Sequence, residues 1–364
     1  MSDPDVQRLQ RSAALVRAAR NIRWPGETVD TLMLDAIAQL HPHNLTDPNL
    51  RAVFQATLDR CDEPHADLEK IRITVENQID AEPCPPFEFH YTNSLVYGNN
   101  VHRGEPARLK GCGCEGGCKP DSKTCACLRT QNMYWKIFGF AAGFNVDAEG
   151  CVVDPGFPIF ECNEACGCDE TCMNRVVQRG RQYSVVIRKT LRKGWARSYL
   201  GIYAGELITL NESDHRGDIY DIFGRTYQFT VDFWYLQQGY RRIIRRIREG
   251  GAPGAFDADE TIFPTFCVDA FHVGNFTRFL NHSCDPNCVV VAVHINEPHI
   301  YKPFMCLFTN KALKAGEEFT FNYGGAQGGD DQPRQKKKGR GKKNGGLKDK
   351  ACHCGASKCT GRFF

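Results

Sequence analysis

The stretch Arg278-Phe-Leu-Asn-His-Ser-Cys-Asp-Pro-Asn-Cys288, RFLNHSCDPNC, holds an amide, an imidazole, a hydroxyl and two thiols within eleven residues, with a proline to bend them. Cys284 has three readings here: a nucleophile, a packed core thiol, or a metal ligand. Each implies a different protein, and the rest of the chain has to decide.

The other cysteines narrow the choice. There are nineteen. The N-terminus, MSDPDVQRLQRSAALV, lacks a basic start followed by an apolar core, and no apolar run approaches the roughly 18–20 residues that span a bilayer. The chain therefore reads as soluble and non-secreted, with no membrane partner. In a reducing compartment this density of thiols points to metal rather than to disulfides. Cys112, Cys114, Cys118, Cys125 and Cys127 form one cluster, and Cys162, Cys166, Cys168 and Cys172 a second. Nine is an odd number for separate tetrahedral zinc sites, but six terminal and three bridging thiolates satisfy three zinc ions. Such a compact cluster substitutes for a hydrophobic core in a domain otherwise poor in one. Cys61, Cys84, Cys151, Cys267, Cys288 and Cys306 lie outside the pattern and read as ordinary thiols.

A third group, Cys352, Cys354 and Cys359 in CHCGASKC, has the spacing for one zinc ion but lacks a fourth ligand. His353 is wedged between two ligands and poorly placed to turn inward. Cys284 has no partner in its own segment. It is therefore expected to complete this site and clamp the C-terminus onto the fold.

With 364 residues and 41% hydrophobic content, the chain can build one large or two to three modest cores. Apolar positions at helical spacing over 5–20 and 29–40, and an Asp47-Pro48 helix start, predict a helical N-terminal region over 1–80. Residues 81–180 form the cysteine domain with its extended lead-in. Downstream, YSVVIRK, YLGIYAGELITL, RTYQFTVDF, NCVVVAVHI and YKPFMCLFTN read as strands of a mainly β fold with few helices, over 181–325. An insert at 233–265 carries YRRIIRRIRE, read as a helix with a solvated basic face. Residues 326–349 are a flexible basic linker, with eight Lys or Arg and no acid between 334 and 348, and 350–364 hold the last cysteines.

In this order the motifs resemble the SET-domain protein lysine methyltransferases of the heterochromatin, Suppressor-of-variegation type. The nine-cysteine block followed by NRVVQRGR at 174–181 resembles a pre-SET domain, residues 182–325 a SET domain, and CHCGASKC a post-SET segment. The resemblance implies a SET-domain β fold with a pseudoknot-like crossing, in which RFLNHSCDPN lies beside EEFTFNY, preceded by a triangular three-zinc cluster. It also implies S-adenosylmethionine as methyl donor and a lysine of the histone H3 tail, lysine-nine, as acceptor. The partner is then a nucleosome in nuclear chromatin, where the basic linker can meet DNA.

By the same resemblance Tyr203 and Tyr323 are the catalytic tyrosines, and Phe321 is the channel residue that leaves room for di- and trimethyl products. Gly194, Trp195, Tyr227, Arg278, Asn281 and His282 are cofactor-binding positions; Phe363 covers the cofactor or the lysine channel, and Asp232 faces the substrate peptide. One departure stands out. The family reads Gly-Trp-Gly and about a dozen further residues before the strand carrying Tyr203, whereas KGWARSYLGIYAGEL runs almost directly on, with Ala196 in place of the second glycine. This shortening is expected to weaken cofactor binding and to leave a strand edge unpaired. The alternative to an enzyme is a catalytically weak or inactive chromatin adaptor that binds histone tails or nucleic acid. A zinc-binding ubiquitin-ligase module needs cross-brace ligand pairs including His, which nine all-Cys positions do not offer.

Overall fold

The computed structural model describes residues 48–62, 71–85, 89–138, 142–189, 199–223, 227–231, 266–324, 351–359 and 361. The helical runs expected over 5–20 and 29–40, the YRRIIRRIRE helix, the basic linker, and Gly194, Trp195, Asp232 and Phe363 lie outside these residues.

Two four-stranded sheets make the frame. The first runs β4 (Ile159–Phe160), β12 (Cys288–His294), β13 (Phe304–Thr309), β6 (Tyr199–Ile202). Its centre is a long antiparallel pair, Cys288 to Val293 against Thr309 to Phe304. The β-branched run Val289-Val290-Val291 suits a pleated surface buried on both sides. Alternation then divides its contacts. Val290, Met305 and Leu307 join the main core, while Val291, Val293, Cys306 and Phe308 pack against the cysteine cluster. One strand pair thus joins the metal domain to the rest of the molecule.

The second sheet runs β3 (Val96–Tyr97), β7 (Glu206–Thr209), β9 (Phe266–Asp269), β8 (Gln228–Thr230). The sequence YLGIYAGELITL, expected as one strand, is two. The chain leaves the first sheet after Ile202 and enters the second at Glu206. Gly205 makes the switch possible, because a Cβ there would meet the Asp269 carbonyl oxygen at 2.7 Å.

Two helices within the cysteine-rich and β-rich halves were not anticipated. Helix α2 (Ala126–Phe138), following α1 (Pro48–Asp62), buries Leu128, Gln131, Tyr134 and Trp135 along one face, a 3.6-residue repeat hidden among the cysteines. Helix α3 (Leu210–Phe223) begins on a Thr209-x-x-Glu212 pattern, with the Glu212 N–H donating to Thr209 Oγ1 at 3.3 Å. That is half of a capping box, and it was legible in the sequence. The region expected to be helical through residue 80 also contains a strand: β1 (Ile73–Glu76) pairs in parallel with β5 (Val185–Arg188), because ITVE and VVIR are rich in β-branched residues. Phe54 and Leu58 of α1 are fully buried in the main core.

Strand β6 has β13 on one side and, among the described residues, no strand on the other. Leu200, Gly201 and Ile202 line a cavity of about 480 Å³ with Tyr97, Arg181 and Phe276. The sequence just before β6 is the shortened one.

Candidate active site and metal centres

The two segments singled out for catalysis are brought side by side. Strand β11 (Asn281–His282) pairs in parallel with β14 (Thr320–Phe321), Asn281 opposite Thr320 and His282 opposite Phe321. Asn287 fastens the pair, its Oδ1 accepting from the Thr320 N–H at 2.8 Å and its Nδ2 donating to the Glu318 carbonyl at 3.1 Å.

Tyr203, Phe321 and Tyr323 meet at this point. The Phe321 ring lies 6.4 Å from Tyr203 and 4.9 Å from Tyr323, centroid to centroid. Phe229 of β8, a residue the sequence did not single out, closes the group at 5.4 Å from Tyr203 and 5.8 Å from Phe321. Both hydroxyls have fixed acceptors: Tyr203 Oη donates to the Tyr227 carbonyl at 2.9 Å, and Tyr323 Oη to the Leu280 carbonyl at 2.7 Å. Burial raises the pKa of each well above the ordinary tyrosine range, so both remain hydrogen-bond donors rather than anions.

Arg278, expected at the cofactor pocket, is turned into the protein. Its guanidinium lies 3.9 Å from the Phe89 ring centroid and 4.1 Å from that of Tyr227, and Nη2 donates to the Phe271 carbonyl at 3.1 Å. A desolvated cation over two rings contributes about 2 kcal/mol or more. Its effect on the site is indirect: it holds the ring of Tyr227, whose carbonyl holds the Tyr203 hydroxyl. Asn281, in contrast, is exposed and borders a cavity of about 300 Å³ together with Ile187, Lys189 and Phe279. That size and its mixture of polar and apolar walls suit a small-molecule ligand.

His282 is buried, and burial lowers its pKa. Nδ1 accepts from the Tyr323 backbone N–H at 3.1 Å, and Nε2 lies 3.4 Å from Cys284 Sγ. Cys284 is not a nucleophile aimed at the tyrosines. It joins Cys352, Cys354 and Cys359 in a group whose sulfurs all lie within 4.8 Å of one another, the donor set and spacing of one tetrahedral zinc ion. At Cys354 burial is outweighed by the backbone N–H groups of Cys284 and Ala356, bringing the thiol down to about 6, while burial pushes Cys352 up to about 12.

The nine upstream cysteines also converge. Cys112, Cys118, Cys162 and Cys168 form one group, Cys114, Cys118 and Cys125 another, and Cys127, Cys162 and Cys166 a third. Cys172 Sγ lies 4.0 Å from that of Cys162. Cys118 and Cys162 each belong to two groups and stand 3.3 Å apart, the arrangement that shared thiolates produce. Glu161, which the sequence did not flag, braces this cluster: its buried carboxylate accepts from the Val177 N–H at 2.6 Å and from Gln178 Nε2 at 2.8 Å, and its backbone N–H donates to the His294 carbonyl of β12 at 3.1 Å, tying the cluster to the β domain.

A strand-built domain with paired tyrosines around a phenylalanine, flanked by a four-cysteine clamp and preceded by a nine-cysteine cluster, defines a SET domain with its zinc-type accessory segments. Residues 65–175 match the pre-SET motif and residues 188–324 the SET domain. The chain belongs to the SET-domain family, in the Suppressor-of-variegation branch with a pre-SET motif. It is 38% identical over 341 residues to a histone-lysine N-methyltransferase, H3 lysine-9 specific, of Cryptococcus neoformans var. grubii, covering 80% of this chain and 18% of that protein. It is 36% identical over 263 residues to histone-lysine N-methyltransferase SUV39H2 of Gallus gallus, covering 69% of this chain and 54% of that one. A solved structure of KRYPTONITE in complex with mCHH DNA, H3(1-15) peptide and SAH superposes with a TM-score of 0.55 at 27% identity, over 80% of this chain and 51% of that chain. The chain thus spans about a fifth of the first of these curated relatives and just over half of the second.

Proposed function

We propose that this chain is an S-adenosylmethionine-dependent lysine N-methyltransferase acting on lysine-nine of the histone H3 tail, with di- and trimethyl-lysine as products. The observation that carries the reading is the assembled group of Tyr203, Phe229, Phe321 and Tyr323 beside the β11–β14 pair. Its relatives' activity on H3 lysine-9 supports the substrate.

The cofactor, when bound, supplies an electrophilic methyl group, and among the described residues the segment of Asn281 and His282 is the one assigned to hold it. The protein's own task is alignment and exclusion of water. A lysine amine, with a pKa near ~10.4 in water, must be neutral to attack, and an aromatic-walled site disfavours its charged form. The tyrosine protons are donated to the Tyr227 and Leu280 carbonyls, so the hydroxyl oxygens are free to accept an N–H of the amine and leave its lone pair to attack the methyl group. Strand β8 is at the edge of its sheet among the described residues and carries Phe229, so an extended peptide can pair along it and present one side chain to the rings. Asp232, one residue beyond the described part of that segment, is then a substrate contact. An intact tyrosine pair favours catalysis over an adaptor role.

The zinc assignments follow the same reasoning: three ions on Cys112, Cys114, Cys118, Cys125, Cys127, Cys162, Cys166, Cys168 and Cys172, and one on Cys284, Cys352, Cys354 and Cys359. The setting is nuclear chromatin, with the basic linker on nucleosomal DNA. Incubating the full chain with radiolabelled S-adenosylmethionine and an H3 tail peptide tests the activity. Label incorporated into the native peptide but not into one with arginine at position nine supports the reading; no label in a folded, zinc-loaded chain overturns it.

A further inference from the structure

The catalytic tyrosine and the C-terminal metal clamp are joined by one side chain. A backbone N–H can only donate, so the 3.1 Å contact from Tyr323 N makes His282 Nδ1 the unprotonated nitrogen. The ring's proton is therefore on Nε2, and the atom facing Nε2 is Cys284 Sγ at 3.4 Å. Cys284 Sγ in turn lies 3.8 Å from that of Cys352 and 4.0 Å from that of Cys359. The imidazole is buried and packs edge-on to the Tyr323 ring, centroids 5.4 Å apart. It has no room to turn over without losing both contacts.

We propose that His282 is a positioning residue that couples metal loading of the Cys284–Cys352–Cys354–Cys359 site to the placement of Tyr323. A metal-bound sulfur is a thiolate and accepts an N–H more strongly than a thiol does. Filling the site therefore strengthens the Nε2–H···S bond, which fixes the ring, which fixes the Tyr323 amide two residues from Phe321. By linkage the relation runs both ways: a ring held by Tyr323 raises the affinity of the site for zinc. The three parts come from separate segments, with a sequence separation of 41 from His282 to Tyr323 and of 68 from Cys284 to Cys352. The four-cysteine site thereby reports its metal state to the reaction centre through the imidazole.

The inference rests on the methyltransferase reading only for its consequence; the coupling itself is read from metal affinity. Two substitutions split the imidazole's contacts. Asparagine places an acceptor near the Nδ1 position and reaches no further, whereas glutamine places an amide near Nε2. Zinc affinity of the full chain is measured by competition with a chromophoric chelator, the nine-cysteine cluster's retained metal serving as the check of folding. His282→Asn is expected to weaken the C-terminal site about tenfold. His282→Gln is expected to keep near-native affinity while losing kcat more than it changes KM, at any zinc concentration. Equal affinities in wild type and His282→Asn overturn the proposal, as does His282→Gln binding zinc as weakly as His282→Ala. In the wild-type chain, withdrawing the C-terminal metal is expected to shift the His282 Nε2 and Tyr323 amide nitrogen resonances together. Unmoved resonances refute the coupling whether or not the variants fold.

Discussion

The Tyr323 hydroxyl donates to the Leu280 carbonyl at 2.7 Å, across 43 residues of sequence, and so ties the last strand of the β domain to the segment that carries Arg278, Asn281 and His282. The bond holds Tyr323 at a fixed tilt to Phe321, and replacing the tyrosine by phenylalanine removes it without opening a cavity. Tyr323→Phe is expected to lower methyl transfer by about 10²-fold or more. The stability change stays near the ~1 kcal/mol of a single neutral hydrogen bond. Steady-state rates and thermal melts measured on the same preparation check both; a folded variant with near-native rates contradicts the assignment.

On the proposed methyltransferase reading, Phe321 is expected to set how many methyl groups are added. It is buried, 4.9 Å from the Tyr323 ring and stacked at 25° on Phe229. A hydroxyl at its tip fills space or binds the amine, restraining rotation of a nitrogen already methylated. Wild type is expected to carry a peptide to di- and trimethyl-lysine, and Phe321→Tyr to stop at mono- or dimethyl. Mass spectrometry of exhaustively methylated peptide reads the outcome, and an unchanged distribution in the variant defeats the assignment.

Four zinc ions per chain are expected, three in the upstream cluster and one at the C-terminal clamp. Cys284→Ser is expected to retain three, since the upstream group shares no ligand with it. Strong chelation should unfold the upstream region, whose buried interior is largely cysteine, because metal binding there is folding energy. Elemental analysis alongside circular dichroism tests both statements, and a Cys284→Ser chain holding four zinc ions removes Cys284 from the site.

Acid destabilisation is expected from two buried histidines. Burial lowers His294 to about 3 and His272 to about 4 from an ordinary value of 6.5. The fold therefore favours their neutral forms, and the unfolded chain binds more protons between those values. Stability is full above pH ~6.5 and falls as the pH drops from there towards 4, by at most about 1.4 kcal/mol per unit per histidine. Urea midpoints across this range, with zinc content followed because acid also strips thiolate-bound metal, should fall less steeply in His294→Gln. Parallel slopes for the two proteins would falsify the assignment to His294.

The basic linker is expected to act only on large substrates. Replacing Lys336, Lys337 and Lys338 by glutamine should weaken nucleosome binding and flatten its salt dependence, because fewer counterions are released, while leaving short-peptide methylation unchanged. Equal losses on peptide and nucleosome point to a folding defect instead.

Spacing within the sequence was sufficient to group the cysteines that converge in the structure. Thiols two to seven residues apart can reach a common ion whatever surrounds them, so Cys112 to Cys172 and the CHCGASKC segment were legible, and counting ligands led to Cys284. The strand propensities of CVVVAVH and FMCLFT were equally local, and both form the central pair. Other features depended on neighbours far along the chain. Phe229 reads as an ordinary strand residue until β8 pairs with β9 and sets it against Tyr203 and Phe321. Arg278 stands in the motif expected to hold cofactor, yet Phe89, from the segment before the cysteines, captures its guanidinium with Tyr227. YLGIYAGELITL became two strands because Gly205 must pass against the Asp269 carbonyl. Residue type and short-range spacing therefore determined which chemistry this chain can perform, whereas contacts between segments decided which side chains face the reaction centre, since packing and hydrogen bonding are settled by neighbours in space rather than in sequence.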